Sequence, residues 1–257
     1  MRLTIDTSQL QQLASDLAGF SDRRLRAGLA TALTRTARLV DAEWTGQLST
    51  KFDRPTPLTL KATVVQTAQA DKLQAVVMLR DQSRDRGIAP AEYLAPQEEG
   101  GQRGLKKFER ALQSQGSMPS GWRVVPGKYA QLDGFGNISR GQIVQVLAQL
   151  GSAYSPGYQR VISTSAAKRA ASAVRRGREY VAIVKRAKVG SLAPGVYQRS
   201  GKALLPVFIY TPRATYTKRL SLMADGLRVA QAQIGPQIKM AIDQQFENLA
   251  RKQGRAP

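Results

Sequence analysis

Helical periodicity near both ends of the sequence constrains the fold more than any other feature. In residues 21–48, apolar side chains recur at close to helical spacing: Leu25, Leu29, Leu33, Val40 and Trp44. In residues 221–252 the same period appears after Gly235-Pro236, at Ile238, Ile242, Phe246 and Leu249. Two prolines in the FDRPTP stretch, residues 52–57, end the first pattern. The sequence therefore predicts a long amphipathic helix in each region.

The middle of the chain predicts β-structure joined by loops. Residues 63–67 and 73–79 form a hairpin candidate, and EYVAIVK and LLPVFIY have the β-branched and aromatic content of strands. Residues 80–141 are rich in Gly and Pro and predict one short helix, at 105–113, whereas NIS-GQIVQVLAQL predicts a capped helix. Just ahead of EYVAIVK, STSAAKRAASAVRRG fits either a basic helix or a flexible arm.

These elements together predict an α+β fold. In it, long N-terminal and C-terminal amphipathic helices bracket a mostly antiparallel β region with extended loops. We expect residues 1–257 to form a single structural domain, with a loop-rich insert at 80–141, a basic β-rich segment at 160–220 and a C-terminal helical region at 221–252. No run of about 20 apolar residues predicts a membrane span, so the expected protein is soluble.

Cysteine and histidine are both absent. Their absence excludes disulfides, thiolate nucleophiles, most zinc and copper sites and every imidazole-based triad. The sequence contains no phosphate-binding P-loop pattern; Gly134 and Gly136 predict a plain turn, and the adjacent Glu98 and Glu99 do not predict a positioned acid and base. We therefore expect no enzymatic activity, no cofactor and no metal site.

Positive charge is concentrated in residues 160–220. The chain carries +21, and this segment has 14 Lys and Arg against the single acid Glu179. Such an excess favours a nucleic acid or an acidic protein partner, and the alternative is a solvated basic exterior. The candidate contact residues are Arg160, Lys168, Arg169, Arg175, Arg176, Arg178, Lys185, Arg186 and Lys188. Tyrosines in the same segment predict either stacking on bases or packing in the sheet: Tyr180, Tyr197, Tyr210 and Tyr216.

A family resemblance extends over most of the chain. LAPGVYQRSGKALLPVFIYTPRATYTKRL, with GLATALTRTARLV before it and FENLARK after it, resembles the minor tail protein Z and tail-completion (neck) proteins of long-tailed bacteriophages. The middle segments PAEYLAPQEEGGQRGLKKFERAL and MPSGWRVVPG are similar to loop-rich parts of prophage proteins of this kind. The turn that carries the motif, structural rather than catalytic, contains Pro194, Gly195, Tyr197, Arg199 and Gly201.

The resemblance implies a structural virion protein that completes the tail at its head-proximal end and supports head–tail joining. Expected partners are further copies of the chain in a ring, the tail terminator, tail tube and tape-measure proteins, and the end of the packaged DNA, with no membrane. The expected location is the virion, after assembly in the bacterial host cytoplasm. A basic phage DNA-binding protein acting inside the cell or capsid is the alternative, and a magnesium-dependent nuclease is a more distant one.

Overall fold

The protein combines α-helices with antiparallel β-sheets, so the predicted α+β class is confirmed. A computed structural model describes residues 1–6, 22–82, 88–151, 179–184 and 192–252. The helices are α1 (Asp22–Lys51), α2 (Pro57–Leu60), α3 (Pro90–Glu99), α4 (Lys107–Ser114), α5 (Arg140–Gln149) and α6 (Leu222–Lys252). The strands are β1 (Arg2–Asp6), β2 (Thr63–Gln66), β3 (Gln74–Leu79), β4 (Gly101–Gln102), β5 (Arg123–Pro126), β6 (Glu179–Ile183), β7 (Gly195–Ser200), β8 (Ala203–Thr211) and β9 (Thr215–Tyr216).

The chain divides into two compact units, which differs from the predicted single domain. The helical-pair unit consists of Met1–Gly100 and Lys218–Pro257, and the inserted unit consists of Gly101–Thr217. Each unit has a separate hydrophobic core, built from residues of that unit alone. The predicted loop-rich segment at 80–141 spans parts of both units, because α3 belongs to the first unit, whereas α4 and β5 belong to the second.

Two long helices, α1 and α6, form the centre of the helical-pair unit. Near the end of α1, Trp44 Nε1 donates to the Leu222 carbonyl at 2.6 Å, and earlier in α1 an Arg35 guanidinium nitrogen donates to Gln244 Oε1 at 3.0 Å. The two helices are therefore antiparallel. The predicted apolar positions of α1 are buried, with Leu33, Val40 and Trp44 fully so.

A three-stranded sheet, ordered β1-β3-β2, packs on this helix pair. Both pairings are antiparallel, and β2 with β3 forms the hairpin expected from the sequence. The central strand β3 contributes Ala75, Val77 and Leu79 to the same core as Val40 and Trp44. Alternate residues of a strand lie on one face of the sheet, which explains the spacing of two among these buried positions.

The inserted unit contains a four-stranded antiparallel sheet covered by α4 and α5. The strand order is β5-β8-β7-β6. From the helices, Phe108, Leu112 and Val146 are buried in one cluster with Val196 and Phe208 of the sheet. A separate two-stranded pairing, β4 with β9, joins the segments where the chain enters and leaves the unit.

Two helices differ from the sequence prediction. The structure adds α3 within the predicted loop-rich segment; Pro90 is its first residue, a position where the missing amide hydrogen costs nothing. Helix α6 continues through Gly235-Pro236 instead of being interrupted there. Pro236 lies on the exposed side, while Ala230, Ile238 and Ala241 are buried on either side of it, so packing against α1 holds both halves in one helix.

Candidate functional site

The nine predicted contact cations lie outside the described residues. These are Arg160, Lys168, Arg169, Arg175, Arg176, Arg178, Lys185, Arg186 and Lys188. Their assignment as nucleic-acid or acidic-partner contacts stays a prediction. In sequence, all nine fall between Gly101 and Thr217.

The five turn residues singled out by the resemblance lie on the β7–β8 hairpin and just before it: Pro194, Gly195, Tyr197, Arg199 and Gly201. Gly195 cannot accept a side chain, since a Cβ there would lie 2.2 Å from the Phe208 carbonyl oxygen. The Tyr197 hydroxyl donates to the Ala193 carbonyl at 2.6 Å, next to Pro194. At the other end, Gly201 has φ +59°, a left-handed value suited to the turn between the strands. Arg199 Nε lies 3.1 Å from a Glu179 oxygen in an exposed ion pair. Gly195, Tyr197 and Gly201 therefore shape the hairpin, whereas Arg199 pairs with the neighbouring strand β6.

Most of the net charge belongs to the inserted unit. Gly101–Thr217 contains 19 Lys and Arg against three acids, which is +16 of the chain's +21. Exposed cations of its described part lie on several elements: Arg110, Lys128, Arg140, Arg199, Lys202 and Arg213. Without the nine predicted contact cations, the unit has ten Lys and Arg against three acids, or +7, so the basic segment supplies more than half of its net charge. A surface of this kind attracts a polyanion through long-range electrostatics.

One buried ion pair in this unit has a structural role. Arg103 makes a two-pronged contact with Glu109, in which one guanidinium nitrogen lies 2.7 Å from Oε2. Glu109 also accepts from the backbone nitrogens of Lys106 at 2.7 Å and Val124 at 2.8 Å. Burial acts to raise the pKa of Glu109, but the Arg103 guanidinium and these two backbone donors outweigh it and lower the pKa. The Arg103 side chain therefore contacts both α4, through Glu109, and β5, through the Val124 carbonyl.

A neighbouring lysine responds to the same surroundings. Burial lowers the pKa of Lys106, and the positive charge of Arg103 lowers it further, against the opposing effect of Glu109. Both cations lie beside the start of α4, where Lys106 is the residue preceding Lys107. The exposed cations of the unit are consequently better placed than Arg103 or Lys106 to contact a partner.

The stacking interpretation of the strand tyrosines is wrong for three of the four. Tyr180, Tyr197 and Tyr210 are 4%, 2% and 3% exposed, and burial raises the pKa of Tyr210 strongly. The Tyr210 hydroxyl donates to the Ser117 carbonyl at 2.9 Å. Tyr216, on β9, is partly exposed. The three buried tyrosines therefore pack in the sheet, which was the other interpretation that the sequence left open.

Exposed aromatic rings occur instead in a loop that the sequence indicated only as turns. We call residues 127–139, between β5 and α5, the aromatic loop. Tyr129 is 45% exposed, Leu132 51% and Phe135 43%. The predicted turn at Gly134 and Gly136 is confirmed, because Asp133 Oδ1 accepts from the backbone nitrogens of Phe135 and Asn137, each at 2.9 Å. The Asp-Gly pair was the sequence signal for that turn, but exposure of the rings is a tertiary property.

A groove of about 620 Å³ lies along α1 and α6 in the helical-pair unit. Its lining combines both signs of charge with an exposed methionine: Arg35, Pro236, Lys239, Met240, Asp243, Gln244 and Glu247. The two cations and two acids balance, so this groove lacks the polyanion preference of the inserted unit.

In comparisons with known proteins, no family model, no curated protein and no solved structure matches the chain. Within the described ranges, the structure has no cluster of three or more acidic side chains arranged to hold a metal ion. Across the same part of the chain, none of the helices has the length and apolar character needed to cross a membrane.

Proposed function

We propose that the protein is a structural component of a tailed-phage virion. In this role it completes the tail at its head-proximal end, as a neck or minor tail protein, and supports head–tail joining. The observation that supports the proposal is the charge of +16 in the sequence of Gly101–Thr217, together with the resemblance of the β7–β8 hairpin sequence to tail-completion proteins. An excess of positive charge of this size suits a protein that holds other macromolecules in place.

The proposal includes a particular layout and set of partners. Long N-terminal and C-terminal amphipathic helices bracket the antiparallel β region with its extended loops. Several copies form a ring in contact with the tail terminator, tail tube and tape-measure proteins, and the basic segment contacts these proteins or the packaged DNA end. A ring requires each copy to present two different complementary surfaces.

Composition of purified particles tests the location. Mass spectrometry should find the chain at a few copies per virion, together with tail proteins. Particles assembled without the chain should accumulate as separate heads and tails. Complete, infectious particles that lack the chain would contradict the proposal.

Charge removal tests the role of the basic segment. The triple variant Arg175→Ala, Arg176→Ala, Arg178→Ala should reduce DNA retention in particles while tails still assemble. A matched control removes the same charge from exposed lysines of the helical-pair unit: Lys51→Ala, Lys61→Ala and Lys72→Ala. Equal retention by both variants would count against a DNA-facing inserted unit.

A basic phage DNA-binding protein acting inside the cell or capsid is the second candidate, and the charge of the inserted unit favours it as well. Particle composition separates the two, because an intracellular binder would be absent from purified virions. We also propose that the chain has no catalytic role and needs no cofactor. Nucleic-acid cleavage by the pure, magnesium-supplemented protein would contradict this part.

A further inference from the structure

The aromatic loop differs in surface character from the rest of the inserted unit. Among the aromatic side chains described in that unit, Tyr129 and Phe135 are the exposed ones, whereas Phe108, Phe208 and the strand tyrosines are buried or partly buried. An exposed aromatic ring loses the favourable burial that its size offers. Two such rings in one short loop of a cationic unit need a physical explanation, and a ligand with flat faces provides one.

The loop is held in place at its base. The Gly127 nitrogen donates to the Val207 carbonyl and the Tyr129 nitrogen to the Pro206 carbonyl, each at 2.9 Å. A Cβ at Gly127 would lie 2.5 Å from that Pro206 oxygen, so the chain runs directly against β8. Further along, the Gln131 nitrogen donates to Gln142 Oε1 at 2.7 Å. The Tyr129 side of the loop is thus fixed to β8 and α5.

The tip of the loop is equally ordered by its own hydrogen bonds. The Asp133 nitrogen donates to the Asn137 carbonyl at 2.7 Å, and Leu132 pairs with Ile138 in an isolated β-bridge. Asp133 Oδ1 is occupied by the two backbone donors described above, and Gly136 has φ +78°. Phe135 is therefore presented by a preformed turn, which reduces the entropy lost when a ligand binds.

One cation lies near the Tyr129 ring, and a second cation follows the loop in sequence. Lys128 Nζ lies 6.0 Å from the centre of the Tyr129 ring, and Arg140, exposed at the start of α5, follows the loop. The acid within the loop, Asp133, already accepts two hydrogen bonds through one oxygen. Rings interleaved with Lys and Arg on a positive surface are the elements by which proteins bind unpaired nucleotides, with bases on the rings and phosphates on the cations.

We propose that the aromatic loop is a binding site for single-stranded nucleic acid, in which Tyr129 and Phe135 stack on unpaired bases while Lys128 and Arg140 contact phosphates. A duplex keeps its bases stacked inside, so the rings select single strands. The inference rests on the polyanion-binding part of the proposed function and is independent of where in the particle the chain lies. It also places a contact outside the basic segment predicted from sequence.

Fluorescence anisotropy with the full-length chain tests the site. The probes are a labelled oligothymidine of about 20 nucleotides, longer than the footprint of one aromatic platform, and a duplex of equal length. Tyr129→Ala and Phe135→Ala should each weaken single-strand binding between about fivefold and 100-fold. Duplex affinity should change by less than about twofold, because phosphate contacts spread over the whole unit dominate it.

Leu132→Ala is the matched control, since Leu132 is the most exposed apolar side chain of the same loop and has no flat ring. It should leave single-strand affinity within about twofold of wild type, and Tyr129→Phe should do the same because it keeps the ring. Thermal unfolding of each variant checks that the fold is intact.

Three outcomes would overturn the inference. Unchanged single-strand affinity in the folded Tyr129→Ala, Phe135→Ala double variant would remove the rings from the site. An equal loss on Leu132→Ala would identify an apolar surface for a protein partner instead. If the ring variants lost duplex affinity to the same extent as single-strand affinity, the cause would be altered charge contacts or an altered fold and not the loss of stacking. If wild type binds neither probe, the polyanion part of the proposed function fails as well, which separates that failure from the loss of stacking alone.

Discussion

Gly226 of α6 allows a close approach to Trp44 of α1. A Cβ at Gly226 would lie 2.6 Å from Trp44 Nε1 and 3.1 Å from a methyl of Val40. The indole is fully buried, and its nitrogen donates to the Leu222 carbonyl at 2.6 Å. Even one added methyl group must therefore displace the largest side chain of this core.

Gly226→Ala should lower the free energy of unfolding by about 1–3 kcal/mol, because overpacking shifts Trp44 from its hydrogen bond. Gly46→Ala in α1 is the control, since a Cβ at Gly46 meets nothing within 4 Å. Removing a helical glycine there should stabilise by roughly 0.5–1 kcal/mol. Urea unfolding of both variants measures the difference; equal effects would show that Trp44 tolerates displacement.

The Arg103–Glu109 pair offers a second test on the residue scale. Glu109→Gln should destabilise by about 3 kcal/mol, because it leaves the Arg103 guanidinium, 11% exposed, without its counter-charge. The exposed pair of Arg199 and Glu179, each 53% exposed, is the comparison. Glu179→Gln should change stability by less than about 1 kcal/mol. Similar losses in the two variants would contradict a buried structural role.

Low pH should weaken the stabilising effect of the Arg103–Glu109 pair. The pKa of Glu109 is lowered in the folded protein, so its stabilising effect is present above the unfolded-state pKa and is lost as pH falls through the folded-state pKa. We expect wild-type stability to fall more steeply than that of Glu109→Gln between about pH 5 and pH 2. Urea midpoints across this range measure both slopes, and parallel curves would rule out the coupling.

On the scale of elements, a buried carboxylate of α3 accepts hydrogen bonds from the first backbone amides of α6. Glu98, 6% exposed at the end of α3, accepts from the backbone nitrogens of Leu222 at 2.8 Å and Met223 at 3.4 Å. The preceding Gln97 carbonyl accepts from Arg219 and Leu220. The first amides of a helix lack partners within it, and negative charge there is favourable. α3 thus fixes the start of α6.

Glu98→Ala should therefore lower the free energy of unfolding by about 1–2 kcal/mol, the cost of losing a helix cap. Glu99→Ala is the neighbouring control, since Glu99 is exposed and should change stability by less than about 0.5 kcal/mol. Circular dichroism during urea unfolding measures both. Matching values would mean that water replaces the carboxylate at the start of α6.

At the scale of the whole molecule, the charge is divided unequally between two units. The inserted unit holds +16, which leaves +5 on the helical-pair unit. Most of the net charge therefore belongs to the sequence of the inserted unit, whereas the helical-pair unit is close to balanced for its length. Binding to a polyanion should therefore depend on the second unit.

Salt provides the corresponding test. If the chain contacts about six phosphates of a duplex, its affinity should fall roughly 1,000-fold between about 50 and 200 mM salt. The Arg175, Arg176, Arg178 triple variant should reduce the slope of log affinity against log salt by about three, and the Lys51, Lys61, Lys72 control should leave it unchanged. Equal slopes for all three proteins would place the contacts elsewhere.

The sequence by itself determined the α+β class, the apolar stripe of α1, the β2–β3 hairpin and the excess of positive charge, because these depend on local periodicity and composition. Only the tertiary structure decided the two units, the continuity of α6 through Pro236, the capping role of Glu98 and the exposure of Tyr129 and Phe135. Each of these depends on contacts between residues distant in sequence. Burial and close approach are properties of the packed chain, and no local pattern encodes them.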